Sequence, residues 1–172
     1  MVDVDVGNIY VNSGGSISGN TISGGTTVKI QTTSTEYSLN NNISVIPIPV
    51  APKKRDGSDN KLYARVIDLK RITETLTVSG YLEDENTERA ITKRNNLLNF
   101  AKTKGELIVV WGQSNYQTIF KTDVDNNLFG MFIQKASFKE SGGLVSEGDF
   151  TGDPAPERNI GVTIAFVRGK DI

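Results

Sequence analysis

Arg65-Val-Ile-Asp-Leu-Lys-Arg-Ile-Thr-Glu-Thr-Leu-Thr-Val-Ser-Gly-Tyr-Leu82 leads through a polar bend into Ala90-Ile-Thr-Lys-Arg-Asn-Asn-Leu-Leu-Asn-Phe100 and then Gly105-Glu-Leu-Ile-Val-Val-Trp111. This run of strand, helix and strand decides the fold class. Ile72, Leu76 and Val78 share one parity, interrupted by Glu74, while Thr73, Thr75, Thr77 and Ser79 take the other. Such alternation marks a half-buried strand, and Thr and Val suit a pleated surface. Ile67 and Leu69 are apolar on the opposite parity. A one-residue slip exchanges the faces of a strand, so the flip near Lys70 and Arg71 predicts a β-bulge or kink.

The helix is expected from about Thr87 to Lys104. Asn86 or Thr87 serves as N-cap, because either side chain accepts a bond from a free backbone N–H. Glu88 in the first turn and Lys102 and Lys104 in the last suit the helix dipole, and Gly105 is the expected left-handed C′ residue. Ala90, Ile91, Leu97, Leu98 and Ala101 form one apolar stripe. Arg94 interrupts it, with its stem along the core edge and its charge outward. Glu106 to Trp111 is apolar on both parities, which predicts a strand covered on two faces. The helix and the sheet's own core would provide those layers, or a neighbouring subunit would supply one.

A chain of 172 residues is long enough for a sizeable core. Nineteen basic residues against twenty acidic give a net charge of −1, so no electrostatic argument favours nucleic acid. Cysteine and histidine are absent. That removes thiol chemistry, zinc thiolates and the commonest general base and metal ligand. No cofactor and no metal are expected. No apolar run approaches the ~20 residues of a membrane span, and the start, Met1-Val-Asp-Val-Asp-Val6, lacks the features of a signal peptide.

Residues 1–35 read as an N-terminal arm, flexible or ordered only by assembly. Val2, Val4 and Val6 alternate as a short strand suited to a neighbour's sheet. The Ser-, Gly- and Thr-rich run from Gly7 to Thr35 has the composition of a flexible segment, with Val28 to Gln31 the candidate start of the folded part. Residues 36–172 read as one β domain. Ile43 to Val50 is an edge strand, since Pro47 and Pro49 lack donors on one side. A polar loop, Pro52 to Asn60, joins it to the 62–82 strand as a long hairpin. Lys53, Lys54, Arg55, Asp56 and Gly57 at the tip are the candidate assembly contacts, weighed against a plain solvated loop. Strands follow at Tyr116–Thr122, at Phe129–Lys139 with Phe132, Ala136 and Phe138 on one parity, and at Ile160–Arg168 with Ile160, Val162, Ile164 and Phe166. Six or seven strands, mostly hairpin-linked, make a mainly antiparallel sheet.

Other candidates for chemistry fail on spacing. Asp123, Asp125 and Asn127 open like a calcium loop, but Leu128 and Gln134 stand where glycine and glutamate are needed. Glu83, Asp84, Glu85 and Glu88 read as acids ahead of a helix. Gly14, Gly15 and Gly19 match no phosphate-binding pattern, and Ser141-Gly-Gly is no nucleophile elbow. Trp111 reads as a core or interface residue, with stacking on a sugar or base as the alternative. No enzyme is expected.

The element order, with Ile72–Leu82, Ala90–Phe100 and Gly105–Trp111, resembles tailed-virus tail proteins of the tail-tube fold, a group that includes tail tubes, distal tail proteins and the tubes of contractile injection systems. The resemblance spans about Ile43 to Arg168. It implies an α+β, mainly β fold: an antiparallel β-sandwich or half-barrel with one packed helix. It implies a homo-oligomer of stacked, hexameric rings and other tail or baseplate proteins as partners. Genomic DNA would pass through the lumen without sequence-specific binding, in a virion tail assembled in the host cytoplasm, with no membrane involved. A distal-tail or baseplate adaptor ring is the alternative within that class; a carbohydrate- or receptor-binding β-module is the alternative outside it.

Overall fold

The structure is a computed structural model and describes residues 1–47, 64–85, 88–113, 117–125, 128–140 and 160–169. Seven strands make one sheet: β2 (Asn8–Ser13), β5 (Thr26–Pro47), β6 (Ala64–Leu82), β7 (Ile108–Gly112), β8 (Gln117–Phe120), β9 (Phe132–Glu140) and β10 (Ile160–Gly169). Their order is β8-β7-β2-β5-β6-β10-β9, and every neighbouring pair is antiparallel. Three short strands, β1 (Val2–Asp3), β3 (Ser16–Ser18) and β4 (Thr21–Ser23), form a second sheet in the order β1-β4-β3. One helix, α1, spans Ala90–Thr103. The fold is therefore mainly β with one helix. Leu107 and Met131, flanking β7 and β9 near opposite ends of the large sheet, exchange two backbone hydrogen bonds of 2.9 and 2.8 Å. The sheet thus bends far enough for its two ends to meet at one bridge.

The alternation of β6 and β10 is as expected. Leu76, Val78, Ile164 and Phe166 are fully buried in one core with Leu97 and Phe100 of the helix. The expected bulge is also present. Asn41 stands opposite Ile72, yet Ile43 stands opposite Asp68, so Leu69 to Arg71 face a single residue. A second bulge lies at Thr33, where the register steps from Thr32–Gly80 to Ser34–Ser79. Gly80 is required there, because a Cβ would collide with the Gln31 carbonyl. β5 and β6 make the expected long hairpin, and Pro47 falls where β5 is paired on one side only. Pro49 lies outside the described residues.

Residues 1–35 depart from the expected arm. β2 sits inside the large sheet, between β5 and β7. Ile9, Val11, Val28 and Ile30 are fully buried in the main core. Composition misleads here because the apolar residues from Ile9 to Ile30 are few, yet each is buried or half-buried. β1 pairs with β4 of its own chain. The small sheet also provides the second cover of β7. Val109 belongs to the main core, whereas Val110 packs with Tyr10 and Ile22 in a second cluster. The two-faced burial of 107–111 is as expected; its second layer comes from the segment expected to be an arm.

The helix starts later than expected. Glu85 and Glu88 exchange backbone hydrogen bonds of 3.0 and 3.2 Å, Arg89 is still extended, and the helix begins at Ala90. Asp84 then accepts the Ala90 N–H at 2.6 Å, doing a capping residue's work from six positions upstream. Asn86 and Thr87 lie outside the described residues. At the other end Lys104, not Gly105, takes the left-handed conformation, with φ 51°. The buried stripe is Ala90, Lys93, Leu97 and Phe100. It lies one position off the expected stripe because a lysine occupies its centre. In β9 a register shift opposite Ala165 and Phe166 places Gln134 as an extra residue. Ile133, Ala136 and Phe138 therefore pack on the core, while Phe132 turns to Phe129, ring centroids 6.4 Å apart.

Candidate functional site: an aromatic pocket beside a buried ion pair

Glu74 and Arg168 occupy core-facing positions of β6 and β10 and are direct cross-strand partners. Both residues are buried. A buried charge is tolerable only when paired and hydrogen-bonded, and Arg168 meets both conditions. Its Nη1 donates to Glu74 Oε2 at 3.2 Å, its Nη2 to the Lys121 carbonyl at 2.7 Å, and its Nε to the Phe129 carbonyl. The guanidinium thus ties β10 to both ends of the 121–129 connection. The break at Glu74 in the β6 alternation is visible in sequence; its partner Arg168 is not, because a charge two places beyond Phe166 gives no apolar signal that its position faces the core.

Beside this pair opens a pocket of about 380 Å³, walled by Tyr37 of β5, Trp111 of β7 and Phe120 of β8. Tyr37 and Phe120 contact each other, with ring centroids 5.8 Å apart and planes tilted by 37°. Burial pushes the Tyr37 hydroxyl pKa up, the Glu74 charge adds to this, and Arg168 opposes it. Gln113 and Thr118 also line the pocket, and Thr118 donates to Gln113 Oε1 at 3.3 Å. Trp111 Nε1, Gln113 Nε2 and Glu74 Oε1 carry no hydrogen bond among the described residues. The pocket therefore combines three aromatic walls with two donors, an acceptor and mutually balanced charges. Trp111 is half-buried and packed against the core, as its reading as a core residue expects.

The acidic group before the helix has structural partners. Glu83 accepts from Gln31, Asp84 caps Ala90, and Glu88 accepts from Asn96 at 2.9 Å. Burial pushes the Glu88 pKa up, against the pull of Lys93 and Asn96. Glu85 bridges Lys93 at 3.1 Å and Lys29 at 3.6 Å, and Lys29 continues to Asp5 at 3.3 Å. Lys93 is almost fully buried and also donates to the Glu83 carbonyl at 3.0 Å. Sequence reading missed it because a lysine does not register in an apolar stripe. Arg94 pairs with Glu140, consistent with its expected place at the core edge. Asp123 accepts the Asp125 N–H at 3.1 Å, within a tight turn bridged to Leu128.

Gly14 and Gly19 sit in turns at positive φ. The Gly14 turn is held by Asn12, fully buried, which donates to the Gly24 carbonyl and Thr27 Oγ1 at 3.0 and 2.8 Å and accepts the Gly15 N–H at 2.8 Å. Among the described residues no group of three His, Cys, Asp or Glu side chains is placed to hold a metal. Lys53, Lys54, Arg55, Asp56 and Gly57 lie outside the described residues, as does Ser141.

No protein-family model matches this chain, and no curated protein matches it.

Proposed function

We propose that the chain is a virion structural protein: a ring-forming subunit of a viral tail tube that conducts DNA during ejection, without enzymatic activity. The finer architecture belongs to the same reading: a half-barrel or sandwich whose sheets are completed by neighbouring copies in stacked hexameric rings. One observation supports it most. β6 pairs with β10 only from Thr73 onward, and β5 pairs with β2 only up to Gln31. Beyond those points, residues 41–47 and 64–72 continue as a two-stranded ribbon with no further strand on either side among the described residues. A two-stranded ribbon is marginal alone in water, and unpaired strand edges are templates for pairing with another chain. A closed ring of copies would cover both edges.

The test is particle size against concentration, by light scattering and negative-stain microscopy. Rings or tubes that grow with concentration are expected; a monomer at every concentration would overturn the proposal. Single rings without tubes would select a distal-tail or baseplate adaptor instead. Joining Asn40 to Thr73, which stand opposite each other in the hairpin, by a short turn removes the ribbon. That variant is expected to fold as a monomer and to form no rings.

A further inference from the structure

We propose that the pocket between Tyr37, Trp111 and Phe120 binds a neutral pyranose sugar. The inference is independent of the ring-subunit reading. Size is compatible: about 380 Å³ falls in the range of small-molecule sites. Charge then narrows the class. Each guanidinium nitrogen of Arg168 already donates once to a protein acceptor, and its charge is offset by Glu74, so the site offers little net attraction for a phosphate or carboxylate. The Glu74 charge is matched by Arg168 at 3.2 Å, which leaves little attraction for an ammonium group. A neutral ligand is the one this balance favours.

The remaining features fit a hydroxylated ring. A pyranose has an apolar C–H face, which packs on aromatic rings, and an equator of hydroxyls that both donate and accept. The walls present three aromatic rings. Trp111 Nε1 and Gln113 Nε2 are donors without hydrogen bonds among the described residues, and Glu74 Oε1 is such an acceptor. A flat heteroaromatic base is the rival occupant. A base is held best when sandwiched between two rings, but Tyr37 and Phe120 already touch each other, ring centroids 5.8 Å apart, and leave no slot between them.

The chain's sole tryptophan, Trp111, lines this pocket, so intrinsic fluorescence reads the site directly. The full chain is titrated with the methyl glycosides of glucose, galactose, mannose, rhamnose and N-acetylglucosamine, and separately with adenosine. A saturable change with at least one glycoside is expected, with Kd about millimolar. Tyr37→Ala and Gln113→Ala should each weaken it about tenfold, as loss of one stacking or hydrogen-bonding contact does. Both residues lie outside the buried core, and circular dichroism checks that each variant is folded. Three results would overturn the proposal: no saturation with any glycoside, saturation unchanged in both variants, or saturation by adenosine alone. None of these bears on ring formation, so the two readings fail separately.

Discussion

Glu74 and Arg168 face each other across β6 and β10 as direct register partners, their side chains joined at 3.2 Å where the rest of that face is hydrocarbon. Removing one member of a buried pair leaves the other charge uncompensated. Glu74→Gln should cost about 3 kcal/mol. Arg168→Met should cost more, since the Lys121 and Phe129 carbonyls also lose their donor. The double variant Glu74→Met/Arg168→Met should recover part of the loss, because neither charge then remains buried. Urea denaturation of the three variants measures this; a double variant no better than Arg168→Met would show that the carbonyl contacts dominate.

β2 gives the sharpest contrast with an arm. Ile9→Ala should destabilise by about 2–5 kcal/mol, the usual cost of emptying a packed core position. Deleting residues 1–13 should abolish cooperative unfolding altogether, since β5 and β7 would lose the strand between them. Thermal melts followed by near-ultraviolet circular dichroism decide this; a truncated chain that melts normally would refute the placement of β2.

Asn12 makes three hydrogen bonds from a fully buried position. Asn12→Ala leaves the Gly15 N–H and the Gly24 carbonyl without that partner and should cost about 1–3 kcal/mol. Asn12→Asp should be no better, because the carboxylate cannot donate to the Gly24 carbonyl. Hydrogen exchange should show the loosening first in the 13–25 turns.

Stability should fall at alkaline pH through two neighbouring groups. Burial pushes the Tyr10 pKa up, opposed by the Asp5 backbone hydrogen bond and the Lys29 charge. For Lys29 burial acts downward, but Tyr10, Asp5 and Glu85 together raise the pKa. In both cases the folded state holds its proton more tightly than the unfolded chain. That contribution is fully present below the unfolded pKa values of about 10 and is lost as pH rises through the folded ones. Tyr10→Phe removes both its own contribution and the largest upward pull on Lys29, and should flatten the alkaline limb of stability against pH. A wild-type curve without that limb would contradict the assignment.

Much of this fold was legible where period-two alternation was strong. The faces of β6 and β10 and the flip at Lys70–Arg71 followed from which residues were apolar. The order of residues 1–27 is hidden by their polar composition, which masks the inward placement of Ile9, Val11 and Ile22; Val28 to Gln31 belongs to the folded part, as expected. Lys93 and Arg168 escaped for a related reason: each is a charge at a core-facing position, and only its partner elsewhere in the chain explains its burial. The pocket was beyond reach from sequence, since Tyr37, Trp111 and Phe120 come together only through pairings between distant strands.

The placement of β2 has a consequence for the order of folding. One edge of this strand meets Thr26–Gln31, a short hairpin away, while the other meets Ile108–Trp111, nearly the whole of the intervening chain later. The first pairing closes a small loop; the second must close a long one, with a larger entropic penalty. Topologies dominated by such distant pairings fold slowly. The rate-limiting event should therefore be the docking of β7 alongside an already formed β2–β5 hairpin, leaving one side of β2 transiently open to capture by another unfinished chain.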